Sequence, residues 1–404
     1  MRVTTMVPDM EYAMQQTQQA LSTALQQIST GLRVNQPSDD PAAAANYVVS
    51  TAATANVDQY TSNVTTLLPQ MQTADSAISS VVTALNSAIT LGTEGANGTD
   101  TTQRPAIATQ VASVLSSVIA QANTSYQGVY IFGGSATSTP PFVAASSFFT
   151  SANGTAANPL KTTTALTVGS VTTISDATTG NTFVFTAKAG NTIASMVTAI
   201  GNAVSAGTLT AGIKVTFNAA GHFDVSTGSS TAGIVVSSND PAIGSMSAGA
   251  GTTVANAYAY VGNSTVNTVQ VGDSMNVATN VPGSSLFTSG SNVIGALNSL
   301  IAALQSGTTA PIGTATAAVT SALNKVSQQR VPLDNTISEL NDQESYLGQE
   351  KVTLTSRQTS LVGIDTAQAA TNLSQAELAN STVMAAAAKV LPQSLLNYLA
   401  SPSA

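Results

Sequence analysis

Five leucines at an unbroken spacing of seven mark the C-terminal part of this 404-residue chain. They are Leu333, Leu340, Leu347, Leu354 and Leu361. A repeat of 3.5 residues keeps one narrow apolar row facing a neighbouring helix, so the spacing predicts a long helix in a coiled coil. Because the companion positions are mostly polar, among them Glu344, Lys351 and Gln358, this helix needs other helices to bury its row.

Apolar rows of the same kind occur nearer the N-terminus and supply candidate partners. They are Leu67, Ala74, Val81 and Ala88, beside Met71, Ile78 and Leu85, followed by Ile107, Val111, Val114 and Val118. The simplest interpretation is the core of one intramolecular bundle, built from residues near 41–125 and 300–365.

The composition changes twice along the chain. Helical spacing over residues 9–135 gives way to Gly-, Thr-, Val- and Asn-rich alternating runs over 140–290, and returns over 291–399. This order predicts an α + β fold, in which both termini form a long helical coiled-coil bundle and a β-rich domain is inserted between them. The predicted parts are 1–36, a terminal helix; 37–139, half of the bundle; 140–290, the insert; 291–366, the other half; and 367–404, a second terminal helix.

Within the insert, turn residues separate short alternating runs. TTISDATTGNTFVFTA predicts two strands around Thr178-Thr179-Gly180, and KVTFNAAGHFDVSTG predicts a hairpin around Asn218–Gly221. The stretch between them predicts a short amphipathic helix over residues 193–204.

The outermost helices are polar and narrowly striped, so they gain little by folding alone. We expect them to be mobile in a monomer and to come together when identical subunits assemble. The predicted assembly interface is Met14, Leu21, Leu25, Ile28, Leu32, Leu373, Met384, Leu391, Leu395 and Leu399.

Two adjacent acids, Asp39 and Asp40, precede Pro41 and a run of alanines. Proline suits the first turn of a helix, and the carboxylate of Asp40 then suits the N-cap position. Gly31 and Pro37 favour the end of the preceding helix. The stretch therefore predicts a hinge between two helices. A calcium or magnesium site would need further oxygen ligands, and no EF-hand spacing is present.

The composition argues against several chemistries. The chain has no cysteine and one histidine, which excludes thiolate metal sites and metal sites with two histidines. The sequence also shows no motif of a catalytic nucleophile. Its net charge of −8 disfavours nucleic acid and anionic membrane surfaces. No uninterrupted apolar run is long enough to span a bilayer, and the N-terminus lacks the pattern of a cleaved signal peptide. We therefore predict no enzyme, metal or cofactor.

Two weaker candidates have simpler explanations. His222 precedes the second hairpin strand, where we expect a solvent-facing turn residue. Gly133-Gly134 lacks the lysine and the spacing of a phosphate-binding loop, and predicts a tight turn after a strand over residues 129–132.

Several strings resemble the bacterial flagellin family. LQQISTGLRVNQPSDDPAAAANYV looks like its N-terminal signature, and NLSQAELANSTVMAAAAKVLPQSLLNYL is similar to its closing helix. TISDATTGNTFVFTAKAGNTIASMVTAIGNA resembles an insert module of the outer domains of such proteins. MRVTTMV, QPSDDPAAA, GVYIFGGSATSTPPF and SLLNYL resemble the hook–filament junction branch of the family rather than flagellin itself. Flagellins usually carry alanine where this chain has Pro41, whereas Leu391-Pro392-Gln393 is similar to flagellin C-termini.

The resemblance implies a structural subunit of the bacterial flagellum that supports assembly and motility. The terminal helices would form an inner layer, the coiled coil a second layer and the insert the outermost layer. Implied partners are identical subunits in a ring, the hook-side junction protein, flagellin, and an export chaperone at the C-terminal segment. The implied location is extracellular, after flagellar type III export without a cleaved signal peptide.

Three other functions stay open at this point. A flagellin would polymerise alone into filaments, and a surface adhesin would use the insert to bind a ligand at the end of a helical stalk. An enzyme would need a clustered site, which the sequence does not indicate.

Overall fold

Seven α-helices account for most of the structure, a computed structural model that describes residues 6–98, 102–228, 232–249, 253–288 and 292–399. They are α1 (Met6–Thr30), α2 (Pro41–Asn97), α3 (Arg104–Ala122), α4 (Ile193–Ser205), α5 (Val293–Ser306), α6 (Thr309–Val362) and α7 (Thr366–Leu399). The two longest, α2 and α6, lie on either side of the sheet-rich segment in sequence. The predicted α + β class, with helical ends and an inserted β-rich domain, is confirmed.

The strands form four antiparallel sheets. They are β1 (Ser125–Tyr126), β2 (Val129–Tyr130), β3 (Phe142–Ser146), β4 (Phe148–Ser151), β5 (Val171–Asp176), β6 (Thr182–Thr186), β7 (Lys214–Phe217), β8 (Phe223–Ser226), β9 (Ile234–Ser238), β10 (Met246–Ala248), β11 (Thr253–Tyr260), β12 (Thr268–Gly272) and β13 (Met275–Ala278). The larger sheets have the orders β11-β3-β9-β5-β6 and β10-β4-β8-β7, and β1-β2 and β12-β13 are two-stranded.

The chain divides into two compact units. The first contains residues up to 62 and from 344 onward, and the second contains residues 63–343. Both α2 and α6 contribute residues to each unit. The division into five parts drawn from the sequence stays a prediction.

Within the second unit, the seven-residue rows form a helical core. Buried members include Leu67, Met71, Ala74, Ile78, Val81, Leu85 and Ala88 of α2, Ile107, Val111 and Val118 of α3, and Leu333 and Leu340 of α6. The guanidinium of Arg330 on α6 donates two hydrogen bonds to the carboxylate of Asp75 on α2, from Nε to Oδ1 at 2.5 Å and from Nη2 to Oδ2 at 3.0 Å. A two-point bond of this kind sets the register of the two helices as well as joining them.

One buried cation joins two helix ends in this unit. Arg104 is 4% exposed, and its guanidinium donates to the carbonyls of Gly95, Gly98 and Gly307. These carbonyls lie at the C-terminal ends of α2 and α5, where carbonyl groups lack helical partners and the helix dipole is negative. Arg104 therefore supplies hydrogen-bond donors to free carbonyl groups at the C-terminal ends of both helices.

The insert has an apolar core of its own. Ile174, Ile234 and Phe223 of the two larger sheets are fully buried together with Ile193 and Met196 of α4. The predicted helix and both predicted turns are confirmed. In the first turn, Asp176 accepts from the backbone N–H of Thr178 at 2.8 Å and Thr210 at 2.6 Å.

Two local expectations, for the strand over residues 129–132 and for His222, are wrong. The predicted strand over 129–132 is only Val129–Tyr130, and Ile131 and Phe132 lie in turns. Both are fully buried. His222 is partly buried rather than solvent-facing, and its Nδ1 has no hydrogen-bond partner among the described residues.

Two segments, Arg104–Ala122 and Ser284–Ser306, are long and apolar enough by composition to cross a membrane, and residues 289–291 of the second lie outside the described residues. In the first of them, α3, Val111, Leu115 and Val118 are fully buried in the second unit. Core helices pass the same test of length and hydropathy, so α3 is explained by the bundle.

We predict that Leu347→Asp destabilises the protein. Leu347 is 2% exposed, and an unpaired carboxylate there would cost more than the loss of the leucine, which alone is worth at least about 2 kcal/mol. Thermal unfolding should show a clearly lower Tm, together with a motility defect in cells. The control is Gln349→Asp, two residues away on an exposed position of α6. Equal Tm values for the two variants would contradict the packing of Leu347 within the five-leucine row.

Candidate functional site: the paired terminal helices

The first unit pairs the two ends of the chain, because α1 lies against α7. Buried residues of the pair include Ala24 on α1 and Ala369, Ala376 and Ala387 on α7, and Leu21, Leu373 and Val383 are partly buried. Alanines allow two helices to approach closely but remove little apolar surface from water. The expectation that these helices meet only on assembly therefore differs from the structure, where they meet within one chain.

Larger apolar side chains remain uncovered on this pair. Leu25 and Met384 are each 50% exposed, and Tyr12, Ile28 and Leu378 are also exposed. We call these five exposed residues the open face; on α1, Leu25 and Ile28 lie about 60° apart, whereas Tyr12 lies about 160° around the helix from Ile28. Monomeric proteins rarely leave several large apolar side chains in water on one element, so the open face is suited to contacts with another molecule.

The structure separates the predicted interface residues into three groups. Met14, Leu21, Leu32 and Leu373 are partly buried, and Leu25, Ile28 and Met384 are exposed. The side chains of Leu391, Leu395 and Leu399 lie outside the described residues, although helix α7 continues through Pro392 to Leu399. The assembly role of all ten stays a proposal.

At one end of this pair, a backbone connection joins the α1–α2 loop to the α6–α7 loop. Arg33 N–H donates to the Val362 carbonyl at 2.7 Å, and Ile364 N–H donates to the Gly31 carbonyl at 3.2 Å. Between these bonds, Leu32 and Gly363 form an antiparallel bridge. Gly31 ends α1 with a φ of 70°, a conformation that favours glycine. We call this connection the clasp.

Arg33 adds its side chain to the clasp. Its Nη1 and Nη2 lie 3.2 Å from Asp40 Oδ2, and Nη2 also donates to the Leu361 carbonyl at 2.9 Å. Leu361 is the last leucine of the seven-residue row and is partly buried beside Val34, Ala43 and Val362. The guanidinium therefore connects the start of α2 to the end of α6.

The adjacent carboxylates serve different backbone groups. Asp40 Oδ1 accepts from the Ala43 N–H at 3.0 Å, the geometry of an N-cap before Pro41. This bond and the neighbouring Arg33 hold the pKa of Asp40 below its ordinary value. Asp39 Oδ2 accepts from the N–H groups of Asn35 and Gln36 at 3.0 and 2.9 Å.

The side chains of Arg33, Asp39 and Asp40 are therefore bonded to one another or to backbone groups. Among the described residues, no group of three or more histidine, aspartate and glutamate side chains is placed to hold a metal ion. In the insert, the buried Asp224 accepts from Thr150 and Asn218, so its carboxylate is not directed at His222.

The five-leucine seam is distributed over both units. Leu333 and Leu340 are buried in the second unit, Leu347 and Leu354 are buried in the first, and Leu361 is partly buried beside the clasp. This distribution does not test whether the five leucines take part in assembly, and that role stays a proposal.

Sequence reasoning did not assign the role of Arg33. The sequence places Arg33 seven residues before the N-cap aspartate Asp40, but its hydrogen bond to the Leu361 carbonyl joins residues that are 328 apart in sequence. No local pattern indicates such a partner.

Two family models match the helical ends of the chain. The bacterial flagellin N-terminal helical region matches residues 4–137, and the bacterial flagellin C-terminal helical region matches residues 316–399. The chain belongs to the bacterial flagellin family. The clasp and the open face of this flagellin-family chain both lie within the matched regions.

Curated relatives resemble part of the flagellin-family chain. Flagellar hook-associated protein 3 of Escherichia coli strain K12 is 38% identical over 119 residues, and its Salmonella typhimurium counterpart is 36% identical over 119 residues. Each alignment covers 29% of this chain and 38% of the relative, so the match spans well under half of either protein.

Solved structures resemble it at low identity. A putative flagellar hook-associated protein from Vibrio parahaemolyticus is 15% identical, with a TM-score of 0.49, over 80% of this chain and 100% of that chain. FlgL of Bacillus cereus is 14% identical, with a TM-score of 0.45, over 77% and 99%.

We predict a pH-dependent role for Asp40 in stability. Because its folded pKa is lowered, its contribution is complete well above the unfolded carboxyl pKa of about 3.9 and is lost as the pH falls through the folded value. Asp40→Ala should therefore lower the Tm at neutral pH, and the difference from wild type should shrink in acid. Ser38→Ala, an exposed neighbour, serves as the control. A Tm difference that persists unchanged at pH 2 would contradict this assignment.

Proposed function

We propose that this flagellin-family chain is a structural subunit of the bacterial flagellum, forming the junction layer between hook and filament and supporting assembly and motility. The observation that carries the proposal is the 38% identity over 119 residues to a protein named flagellar hook-associated protein 3. The family models alone favour neither a junction protein nor a flagellin. No described feature of the insert favours an adhesin.

In this proposal the chain acts through contacts and not through catalysis. Its partners are identical copies in a ring, the hook-side junction protein, flagellin and an export chaperone at the C-terminal segment. It works outside the cell after flagellar type III export. The absence of cysteine and of tryptophan is compatible with passage through a narrow channel in an unfolded state.

The open face supplies the driving force for assembly. Completing the burial of Leu25, Ile28, Leu378 and Met384, which are 43–66% exposed, would contribute about 1 kcal/mol for each side chain, roughly half of the value for a fully exposed one. This gain must exceed the conformational entropy lost when α1 and α7 become fixed. The alanine contact between them orients the pair, and the neighbouring subunit completes the burial.

The location test uses electron microscopy of flagella with a label on this chain. Signal confined to the joint between hook and filament supports the junction layer. Signal along the filament, together with seeded growth of long filaments from the purified chain alone, would identify a flagellin instead.

We predict that Ile28→Asp prevents assembly without unfolding the monomer. Ile28 is 43% exposed, so an aspartate there should lower the free energy of unfolding by only about 1 kcal/mol, yet it would bury a charge in the assembled contact. Complementation of a mutant lacking this chain should fail on motility agar. The matched control, Gln26→Asp, is exposed on the same helix and should restore swimming.

If Ile28→Asp and Gln26→Asp both restore swimming, the open face is not the assembly surface. If both fail while their Tm values equal that of the wild type, the contact extends around α1 beyond the open face.

We predict that backbone amides of α1 and α7 exchange with solvent faster in the monomer than those of α2 and α6. The reason is that α1 and α7 bury mainly alanines against each other, whereas α2 and α6 bury leucine and valine rows. Hydrogen exchange on the purified monomer and on isolated flagella measures the difference. Strong protection of both terminal helices in the monomer would contradict the proposed coupling of order to assembly.

A further inference from the structure

The tetrapeptide Ala-Asn-Gly-Thr occurs twice in the chain, at residues 96–99 and 152–155, and contains both Asn-Gly pairs of the sequence. Asparagine before glycine is the pair most prone to deamidation, because glycine has no side chain to shield its amide nitrogen from the neighbouring side-chain amide. Since the local sequence is the same at both places, a difference in reactivity between them has to come from the fold.

At the first pair, the helix occupies the nitrogen that would attack. Asn97 is the last residue of α2, and the Gly98 N–H donates to the Glu94 carbonyl at 2.9 Å. The Gly98 carbonyl also accepts from Arg104 at 3.5 Å. Attack on the Asn97 side chain requires this last helical turn to open, so Asn97 is protected although its side chain is exposed.

At the second pair, the corresponding nitrogen is unbonded. Asn153 lies in irregular backbone after β4 and is exposed to water, as Asn97 is. The Gly154 N–H donates to no acceptor in the part of the chain that the structure describes. Attack by this nitrogen therefore does not first have to break a backbone hydrogen bond.

The fold also requires glycine at position 154. Its φ is 105°, a conformation that residues with a side chain rarely adopt, and a Cβ there would overlap the Gly221 carbonyl. A bulkier residue that would shield the nitrogen is therefore excluded at this position. The same packing that needs the glycine leaves Asn153 next to an unshielded amide.

We propose that Asn153 is a site of spontaneous deamidation and that Asn97 is protected from it. The Gly154 nitrogen attacks Cγ of Asn153 and loses its proton to solvent, and ammonia leaves as a five-membered succinimide closes. Water then opens the ring at either carbonyl, which leaves aspartate or isoaspartate at position 153. Overall, one amide and one water become one carboxylate and one ammonium ion, without oxidation or reduction. The inference goes beyond the proposed function and does not depend on it.

The product weakens a defined contact of the insert. Asn153 is bonded to the segment that precedes β10, through Nδ2 to the Pro241 carbonyl at 2.7 Å and through its backbone N–H to the Ile243 carbonyl at 3.0 Å. A carboxylate has no N–H to donate, so its oxygen would face the Pro241 carbonyl oxygen. Isoaspartate in addition lengthens the backbone by one carbon. Deamidation therefore loosens the end of β4 from this segment.

Timed incubation of the purified full-length chain tests the site. The buffer is mildly alkaline, its water is labelled with heavy oxygen, and mass spectrometry follows the peptides of both Asn-Gly pairs. We expect conversion at Asn153 to be at least about tenfold faster than at Asn97, because only Asn97 requires a helical hydrogen bond to break. Isoaspartate carrying one labelled oxygen identifies the succinimide route. In urea, both pairs should react at the same rate, since their local sequences are the same.

Equal rates at the two pairs in the folded chain, or faster conversion at Asn97, would overturn the proposal. An unreacted Asn153 in the folded chain, while both pairs react in urea, would overturn it as well. A difference of the same size in urea would show that the fold does not decide the rate, which is also contrary to the proposal.

Asn153→Asp tests the consequence without the wait for the reaction. The Ala152 amide, which donates to the Ser245 carbonyl at 2.7 Å, should exchange with solvent at least about threefold faster in this variant than in the wild type. The matched control, Asn158→Asp, places the same charge in the same loop on an exposed side chain and should leave this exchange unchanged. Unchanged exchange in Asn153→Asp, or the same acceleration in Asn158→Asp, would contradict the loosening.

Discussion

A narrow apolar row on a long helix needs a partner element to bury it, and the rest of this structure depends on that constraint. The leucines of α6 meet the rows of α2 although the two helices lie more than 200 residues apart in sequence. Polar bonds then determine their register: Arg330 with Asp75 in the second unit, and Lys351 with Asp58 in the first. Such bonds contribute little energy when exposed, but they select one alignment among the several that a seven-residue repeat permits.

The insert is folded around its own core and by local polar bonds, and it is also bonded to the helices, as by Gln70 of α2 to the Thr279 carbonyl and Gln343 of α6 to the Val271 carbonyl. Asp176, Asp224 and Asp240 are buried, and each carboxylate accepts hydrogen bonds from nearby backbone or side-chain donors. These carboxylates order loops and are already satisfied. Uncovered apolar side chains occur on the terminal helices, where the residues of the open face are exposed.

Several parts of the candidate site follow from local sequence, and others do not. Pro41 after Asp40 indicates an N-cap without reference to the fold, since capping involves only the next three residues. The clasp and the role of Arg104 do not follow, because their partners are carbonyl groups, which every residue carries and no composition reveals. The position of Phe132 was misjudged for a related reason, since a buried turn and a buried strand show the same short run of apolar residues.

The amino-acid sequence alone determined the periodicity of the helices, the position of the insert, the turn and cap residues, and the family to which the ends belong. These are properties of neighbouring residues, for which spacing and residue type suffice. Only the tertiary structure decided that α1 and α7 pair within one chain, and that Leu25, Ile28 and Met384 stay exposed. A narrow apolar stripe indicates which side of a helix packs against a partner. The distance between the two helices depends on side chains from the other end of the chain. That distance decides which large side chains remain exposed to water.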